Sequence, residues 1–523
     1  LVQLAEQYRS WLNAHPEATL ADVCFTAGAG RAHFEHRAAL VVTSTESAAE
    51  LLGALVDDRP APGLVRGSSD RRPKTAWLFP GQGSQYPGMA RELYDTEPVF
   101  AETVDRCAAA VGDVLEKPLL DVIFASHDND TLRLTTYAQP ALFAVEVGLA
   151  RLWQSWGFEP DVVLGHSVGQ YSAACVARVF SLEDGALLVA ERGRLFGSLP
   201  AGGRMVAVFT DAERVESATD EFPSLSVAAY NGANTVLSGP AEDLEQAAAG
   251  LSADGVRCEW LDTSHAFHSA LLDPVLNDFE SYADRFTFGP PQRTLICNRT
   301  GAALARSVKI DGAYWQRHAR QPVEFVKSVR TLADLNCKVL LEVGPQPVLT
   351  AAALRAWPDP ATAPRAIASL RQNTADRRQI NEALADAYVL GHLPDFGAVQ
   401  RGAVRKLDLP TNPFQHRQYW LREQRARPDH PRKAQPITDS RYEIRWQKSA
   451  GFSAASGAGE EATWLVVGDD AEVIQPLVDA LTAGGHRHRI LGLPMSDAEG
   501  ERLEAALRAA GADESTLRIL HVA

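Results

Sequence analysis

The chain has 523 residues, of which 46% are hydrophobic and 22% are charged, and its formal net charge is −15. This length exceeds what one hydrophobic core usually organises, so several domains are expected. The acidic balance argues against nucleic acid or an anionic membrane as a partner, and no apolar run is long enough to predict a transmembrane helix. We therefore expect a water-soluble protein of several domains.

The cysteines and the first residues of the chain indicate a cellular compartment and a piece of a longer polypeptide. Six cysteines are scattered without C-x-x-C spacing, which favours free thiols in a reducing cytoplasm over disulfides or a zinc site. We expect no metal centre and a cytoplasmic location. No signal peptide is recognisable, and the first residue is not methionine, which predicts a piece of a longer polypeptide.

Residues 1–72 are predicted to form a small α/β linker domain. Apolar spacing indicates helices near Leu4–Leu12 and over Ala48–Val56, with a strand over Phe34–Val42. Asp57–Arg72 is rich in proline, glycine and charge and is interpreted as a linker.

The next part is predicted to be an α/β fold, a hydrolase-like core built on a parallel sheet (73–203 and 269–364). The order β-α-β-β-α-β over Met205–Leu261 predicts an inserted ferredoxin-like subdomain, 204–268. The core strands are predicted at Thr75–Phe79, Val162–Leu164, Thr294–Cys297 and Val339–Val343, and its helices at Arg91–Val111, Pro140–Trp153 and Ala186–Phe196.

The last third is predicted in three parts. Residues 365–421 carry a helix, Gln379–Leu390, and then an extended strap that docks on another surface through Phe414, His416, Tyr419 and Trp420. Residues 422–440 are a flexible linker. Residues 441–523 are a partial Rossmann-like piece with strands at Trp464–Val467, His488–Leu491 and Leu517–Val522 and helices at Val473–Leu481 and Ala498–Ala510. The turn after its first strand is acidic and lacks the glycine pattern, so NAD(P) binding is not expected.

A candidate nucleophile lies in Gly165-His166-Ser167-Val168-Gly169. This segment follows the apolar strand and precedes a helical stretch, which is the context of a nucleophile elbow. The start of that helix would stabilise a negative tetrahedral intermediate at Ser167. The alternative is a serine that only caps the helix.

Other residues could complete a site around this serine. His268 follows the last strand of the predicted subdomain, where a cleft would form, and is the best candidate for a general base. His265 and His268 could instead ligate a metal, although no acidic ligand is close in sequence. Arg192 could hold a carboxylate through two hydrogen bonds, or could be a solvated surface arginine.

Several motifs occur in a familiar order: Gly81–Gln85, Gln139–Ala141, Gly165–Gly169, Arg192-Gly193, His265–His268, Tyr314–Val323 and Glu342–Pro345. They resemble the malonyl-CoA:acyl-carrier-protein transacylases and, more narrowly, the acyltransferase domains of modular type I polyketide synthases. Flanking segments are similar to a ketosynthase–acyltransferase linker (Gly30–Phe34), a post-acyltransferase linker (Leu409–Phe414, Tyr419-Trp420) and the start of a ketoreductase structural subdomain (Trp446, Trp464–Val467).

The resemblance implies that Ser167 attacks malonyl-CoA with His268 as base, and that the malonyl group passes to the phosphopantetheine thiol of an acyl carrier protein. It further implies an oxyanion hole (backbone of Gln82 and Val168), a carboxylate partner (Arg192), a pocket lining (Gln139, His166, His265 and Phe267) and a backbone carbonyl that orients the base (His318). No tightly bound cofactor is implied. The implied partners are the carrier protein and the upstream ketosynthase and downstream ketoreductase of the same polypeptide.

The prediction of which extender unit is transferred depends on fewer residues. His265-Ala266-Phe267-His268 resembles the signature of malonyl-specific members, Phe267 would crowd an α-methyl branch, and Val168 agrees. Gln170 and His318 depart from the residues common at their positions. Three alternatives stay open: methylmalonyl or another extender, a serine esterase or thioesterase, and a non-catalytic docking scaffold.

Overall fold

Helices and strands alternate along most of the chain, as the hydrophobic pattern predicts. The structure is a computed structural model that describes residues 1–125, 129–400, 402–414, 463–467, 471–485, 487–491 and 517–521. It divides into two units, Leu1–Arg417 and Gln418–Ala523.

The helices of the first unit are α1 (Val2–Ala14), α2 (Leu20–Ala29), α3 (Thr45–Val56), α4 (Arg91–Thr96), α5 (Pro98–Ala110), α6 (Leu119–Ile123), α7 (Asn129–Arg133), α8 (Thr135–Ser155), α9 (Gly169–Val176), α10 (Leu182–Gly197), α11 (Ala212–Glu221), α12 (Ala241–Ala253), α13 (Asp273–Ala283), α14 (Gly312–Arg320), α15 (Phe325–Asp334), α16 (Leu349–Ala356), α17 (Asp376–Val389) and α18 (Phe396–Val399), with 3₁₀ turns at Ala270–Leu272 and Pro360–Thr362. Its strands are β1 (His36–Leu40), β2 (Leu64–Ser68), β3 (Thr75–Phe79), β4 (Val162–Gly165), β5 (Gly203–Phe209), β6 (Ser226–Tyr230), β7 (Thr235–Pro240), β8 (Arg257–Trp260), β9 (Thr294–Ile296), β10 (Val339–Glu342) and β11 (Arg365–Ala368).

The N-terminal part is more ordered than its composition predicts. β2 lies inside the segment interpreted as a linker and pairs antiparallel with β1, from Leu40 opposite Leu64 to His36 opposite Ser68. The linker interpretation of Asp57–Arg72 is therefore wrong. The two prolines and Gly63 lie in the turn before β2, whereas Gly67 is part of the strand and pairs with Arg37. Leu64 packs on the apolar cluster formed with α1 and α3.

The predicted strap docks on this N-terminal part. The backbone N–H of Arg405 donates to Asp22 Oδ1 at 2.6 Å, and that of Leu407 donates to Thr26 Oγ1 at 2.9 Å. Arg31 donates to the carbonyl of Leu409, whose side chain is buried. The extended segment thus docks through backbone contacts to α2. Phe414 is 69% exposed, so the prediction that this side chain docks is wrong. His416, Tyr419 and Trp420 lie outside the described residues.

A five-stranded parallel sheet organises the main domain. Its strand order is β11-β10-β3-β4-β9, and every residue of β3 and β4 is buried, as expected for strands covered on both faces. Phe79 pairs with Gly165 at the carboxyl ends of β3 and β4. The Gly81–Gln85 loop and the Gly165–Gly169 segment therefore leave the sheet side by side, at the edge where α/β proteins place their sites.

Two predicted helices differ in extent. The stretch Arg91–Val111 forms two helices, α4 and α5, because Pro98 cannot continue the first and instead opens the second. The helix predicted from Pro140 begins at Thr135, so the proline lies inside α8.

The inserted subdomain has the predicted topology. Its antiparallel sheet has the order β6-β7-β5-β8 with α11 and α12 in the connections, which is the ferredoxin-like arrangement. A separate apolar core holds it together, formed by Val206, Val208, Val215, Leu225, Leu237, Leu244, Ala247, Leu251 and Val256. The finer domain boundaries inside the first unit remain predictions.

In the second unit, β12 (Thr463–Val467), β13 (Arg487–Leu491) and β14 (Leu517–His521) form a parallel sheet of order β13-β12-β14, with α19 (Ala471–Ala483) between the first two strands in sequence. The predicted helix Ala498–Ala510 and linker 422–440 lie outside the described residues. Among the described helices of the whole chain, none is both long and apolar enough to span a bilayer.

Candidate active site

Ser167 lies at the tip of a tight turn between β4 and α9. Its φ is +51°, in the left-handed region that non-glycine residues rarely adopt. His268 also has a positive φ, +55°. Such strained backbone persists only where surrounding contacts hold it, and it concentrates at functional sites. Both residues predicted to react are thus held in strained conformations.

Gly165 and Gly169 permit this turn through their lack of a side chain. A Cβ on Gly165 would lie 2.2 Å from the backbone N of Gln170, and one on Gly169 would lie 2.2 Å from the carbonyl O of Phe79. The two glycines therefore allow close approach of backbone segments. The left-handed residue of the turn is Ser167 itself, so these two glycines serve the turn through their small size.

Ser167 and His268 meet across 101 positions of sequence, with Ser167 Oγ 2.8 Å from His268 Nε2. The other ring nitrogen, Nδ1, lies 2.7 Å from the carbonyl O of Gln321. A carbonyl only accepts, so Nδ1 carries the proton and Nε2 presents its lone pair to the serine hydroxyl. This tautomer is the one a general base requires.

The orienting carbonyl belongs to Gln321, and the assignment of that role to His318 is wrong. His318 is buried on α14 with its ring centroid 6.5 Å from that of His268. Pro322 supplies the reason, because a residue before proline is driven out of helical geometry. Gln321 is accordingly extended, with φ −86° and ψ 158°, and its carbonyl accepts no helical hydrogen bond. The X-Pro step after a helix was the sequence signal for this residue.

His268 is held in its neutral form. Burial, followed by the positive charge of Arg192, lowers the pKa of His268 to about 3. A histidine with an ordinary pKa of about 6.5 would be mostly protonated at pH 5, where its neutral fraction would be only about one in 30.

We therefore expect the kcat/KM of acyl transfer to Ser167 to stay level from pH 8 down to pH 5, because the sign of the shift keeps His268 unprotonated throughout. The measurement uses a malonyl thioester of N-acetylcysteamine, which carries no titrating phosphate. A fall of tenfold or more between pH 7 and pH 5 would contradict the depressed pKa.

Two backbone N–H groups are free at the edge of the sheet. Within the described part of the chain, the amides of Gln82, after β3, and of Val168, after Ser167, have no hydrogen-bond partner. Unpaired amides at the start of a helix carry partial positive charge. The arrangement can accept a developing oxyanion beside Ser167.

Arg192 is a buried cation, and three of its five N–H groups, those on Nε and Nη2, have no partner among the described residues. Its Nη1 donates to Gln139 Oε1 at 2.6 Å. Its Cζ lies 4.6 Å from the ring centroid of Phe196, and only 1% of the residue is exposed. Burial lowers the pKa of this guanidinium. The surface-arginine alternative is therefore wrong.

The remaining predicted residues surround this centre. His166 contacts Asn231 Oδ1 through Nε2 at 3.0 Å, which joins the elbow to the subdomain, and burial lowers its pKa. His265 contacts Ser264 and the carbonyl of Leu199. Phe267 is 7% exposed, with its ring 6.4 Å from Phe196.

All four ring nitrogens of His265 and His268 thus have partners within the protein. In the described residues, no group of three or more histidine, cysteine or acidic side chains could hold a metal ion.

Comparison with known proteins agrees with this fold. The chain is 42% identical over 394 residues to the mycoketide-CoA synthase of Mycobacterium tuberculosis, covering 75% of this chain and 9% of that protein. The acyltransferase domain from the second module of the salinomycin polyketide synthase superposes with a TM-score of 0.66 at 38% identity, covering 72% of this chain and 87% of that one. The acyl-carrier-protein S-malonyltransferase of Bartonella henselae superposes with a TM-score of 0.52 at 29% identity, covering 61% and 99%.

The open parallel sheet, its serine elbow and the inserted subdomain are those of an enzyme that transfers acyl groups. Residues 76–393 match the family model described as acyl transferase domain, and the chain belongs to that family. Residues 1–52 match a second model, CurL-like, PKS C-terminal, which together with the relatives makes this an acyltransferase of a modular type I polyketide synthase. The chain spans 6% to 24% of the length of the curated relatives it matches.

Proposed function

We propose that this acyltransferase takes a malonyl extender unit from malonyl-CoA as an ester on Ser167 and passes it to the phosphopantetheine thiol of an acyl carrier protein. One observation carries the proposal. The guanidinium of Arg192 is buried in the same site as the Ser167–His268 pair, and its Nε and Nη2 have no hydrogen-bond partner among the described residues. A serine and a base serve any acyl group, whereas the cation calls for an acyl group that ends in a carboxylate.

The first half-reaction forms the acyl-enzyme. Ser167 Oγ attacks the thioester carbonyl and its proton passes to His268 Nε2, while the amides of Gln82 and Val168 hold the oxyanion. Collapse of the tetrahedral intermediate breaks the C–S bond, and the coenzyme A sulfur leaves with the proton from His268.

The second half-reaction reverses these roles. The pantetheine thiol gives its proton to His268 and attacks the ester carbonyl, and Ser167 leaves with that proton. Gln321 holds the imidazolium through Nδ1 at both stages, in the position an aspartate takes in serine proteases. A neutral carbonyl stabilises the imidazolium less than a carboxylate, which agrees with the low pKa of His268.

Arg192 supports selection of a dicarboxylic acyl group. Its Nε and Nη2 form one edge of the guanidinium, the edge that accepts both oxygens of a carboxylate side by side. Gln139 already occupies Nη1, so the free edge has a fixed direction. An acetyl group would leave this buried cation unpaired, which is costly.

Phe267 supports malonyl over methylmalonyl. Its ring lies beside Phe196, which itself stacks on Arg192, so the aromatic wall adjoins the carboxylate partner. A methyl branch in such a pocket is worth about 1–3 kcal/mol of discrimination.

The likeness to polyketide synthases supports further partners in the same polypeptide. Under this proposal, the N-terminal part follows a ketosynthase and the second unit begins a ketoreductase structural subdomain. The strap over 402–414, bonded to α2, fits a linker that returns the chain past the acyltransferase toward later domains.

The test is the intact mass of the protein after brief incubation with equal concentrations of malonyl-CoA and methylmalonyl-CoA, followed by addition of pantetheine as the acceptor thiol. We expect a malonyl adduct on the wild type, none on Ser167→Ala, and conversion of the adduct to malonyl-pantetheine.

Each other outcome points to one alternative. A methylmalonyl adduct would keep the mechanism and overturn the extender assignment. Release of free malonate without malonyl-pantetheine would favour an esterase. Intact thioesters and no adduct would favour a docking scaffold.

A further inference from the structure

A continuous row of hydrogen bonds runs through the site from Arg192 to the carbonyl of Leu199. Its successive members are Arg192, Gln139, Gln82, Thr135, Ser264, His265 and Leu199, at 2.6, 3.4, 3.2, 2.7, 2.9 and 3.1 Å. We refer to it as the polar chain. It links three parts of the site that are distant in sequence: Arg192, the loop after β3 that contains Gln82, and the signature segment His265–His268.

The direction of every bond in the polar chain follows from its two ends. Arginine only donates, so Gln139 accepts through Oε1 and donates through Nε2 to Gln82 Oε1. Gln82 Nε2 then donates to the hydroxyl of Thr135. At the other end the carbonyl of Leu199 only accepts, so His265 donates from Nε2 and accepts at Nδ1.

The hydroxyl groups of Thr135 and Ser264, in the middle of the polar chain, must therefore donate in the same direction along it. Ser264 donates to His265 Nδ1 and accepts from Thr135, which leaves the Thr135 hydroxyl free to accept from Gln82. All six bonds share one polarity, and a chain with one polarity strengthens each of its members. Thr135 is the junction, because its Oγ alone joins the oxyanion loop to Ser264.

Thr135 is also held firmly by its backbone. A Cβ on Gly193 would lie 2.8 Å from the carbonyl O of Thr135, and one on Gly197 would lie 2.5 Å from Thr136 Oγ1. The glycine after Arg192 thus lets α10 pack directly on the start of α8. Thr135 itself is 1% exposed, so its hydroxyl has a fixed location.

We propose that Thr135 is a positioning residue for the acyl transfer. Through Ser264, its hydroxyl holds the Gln82 loop and the Gln139–Arg192 pair in register with the signature segment His265–His268. This inference rests on the proposed function. It adds a residue outside the reacting pair that sets both the rate of acylation and the preference between extenders.

The test compares Thr135→Val, which keeps the shape and removes the hydroxyl, with Thr135→Ser, which restores it. The readout is kcat/KM for acylation of Ser167 by malonyl-CoA and by methylmalonyl-CoA separately. We expect Thr135→Val to lower the malonyl value about tenfold, as loss of a buried hydrogen bond implies, and to lower the malonyl preference. Thr135→Ser should stay within about twofold of the wild type.

The matched control is Thr136→Val. The neighbouring hydroxyl makes only a 3.4 Å contact to the carbonyl of Gly193, outside the polar chain, so acylation should be unchanged. If Thr135→Val does not fold, Ser264→Ala removes the next hydroxyl of the polar chain and carries the same expectation.

Equal losses for both substrates together with a lower melting temperature would mean a purely structural role and would overturn the inference. Wild-type rate and preference in Thr135→Val would overturn it while leaving the proposed function intact. Failure of the wild type to acylate would overturn both.

Discussion

Replacing His268 with alanine is expected to slow acylation of Ser167 by about 10²- to 10⁴-fold, the range that general-base catalysis contributes. Nε2 of His268 is the group within 2.8 Å that can take the proton of Ser167 Oγ. Without it the serine stays a neutral hydroxyl, although the amides of Gln82 and Val168 can still hold the oxyanion. The measurement is single-turnover formation of the malonyl-enzyme, followed by intact mass.

The matched control is His36→Ala, because the His36 side chain is 68% exposed and lies on β1, in a different sheet from the strand that leads into the elbow. It should acylate at the wild-type rate. A loss below tenfold in His268→Ala, with the fold intact, would show that another group serves as the base.

Replacing Arg192 with leucine should lower kcat/KM for malonyl-CoA by about 10²- to 10⁴-fold, since loss of one partner of a buried ion pair costs about 3–5 kcal/mol. The same change should spare or raise transfer from acetyl-CoA, because the acetyl group no longer meets an unpaired buried cation. Leucine keeps apolar contact with Phe196 and removes a desolvated charge, but Gln139 Oε1 loses its donor. These effects oppose each other, so we expect only a small change in the melting temperature. The measurement is the ratio of the two kcat/KM values.

Arg194→Ala provides the control for this second result. Arg194 lies on the same helix, is 48% exposed and pairs with Glu191. We therefore expect kcat/KM to stay unchanged for both malonyl-CoA and acetyl-CoA. If Arg192→Leu lowered kcat/KM equally for both substrates, the arginine would support the structure of the site rather than select the carboxylate.

Both expectations depend on backbone that is strained at the reacting residues. Ser167 and His268 each adopt a positive φ, at a cost of about 1–3 kcal/mol apiece. The close packing around Gly165 and Gly169 and the hydrogen bond to Gln321 offset that cost. The stability of the domain core thus supports the geometry of the site.

The local structure of this protein follows from short stretches of its amino-acid sequence. A β-branched run followed by glycine, serine and glycine predicts a strand, a turn and a helix around Ser167, because each of these is set by neighbouring residues. The alternation of short strands and helices over Met205–Leu261 likewise predicted the ferredoxin-like insertion, and the motif order identified Arg192 and His268 as candidates.

Which atoms of distant segments come into contact depends on how the folded elements pack together. The carbonyl that orients His268 belongs to Gln321 and not to His318, because Pro322 ends α14 and turns that carbonyl toward the ring. Thr135 and Ser264 are 129 positions apart, and nothing local to either residue predicts their contact. The composition of Asp57–Arg72 predicts a linker, whereas pairing with β1 makes Leu64–Ser68, inside that segment, a strand. Local propensity depends on neighbours in sequence, whereas hydrogen-bond partners depend on packing that brings separate elements together.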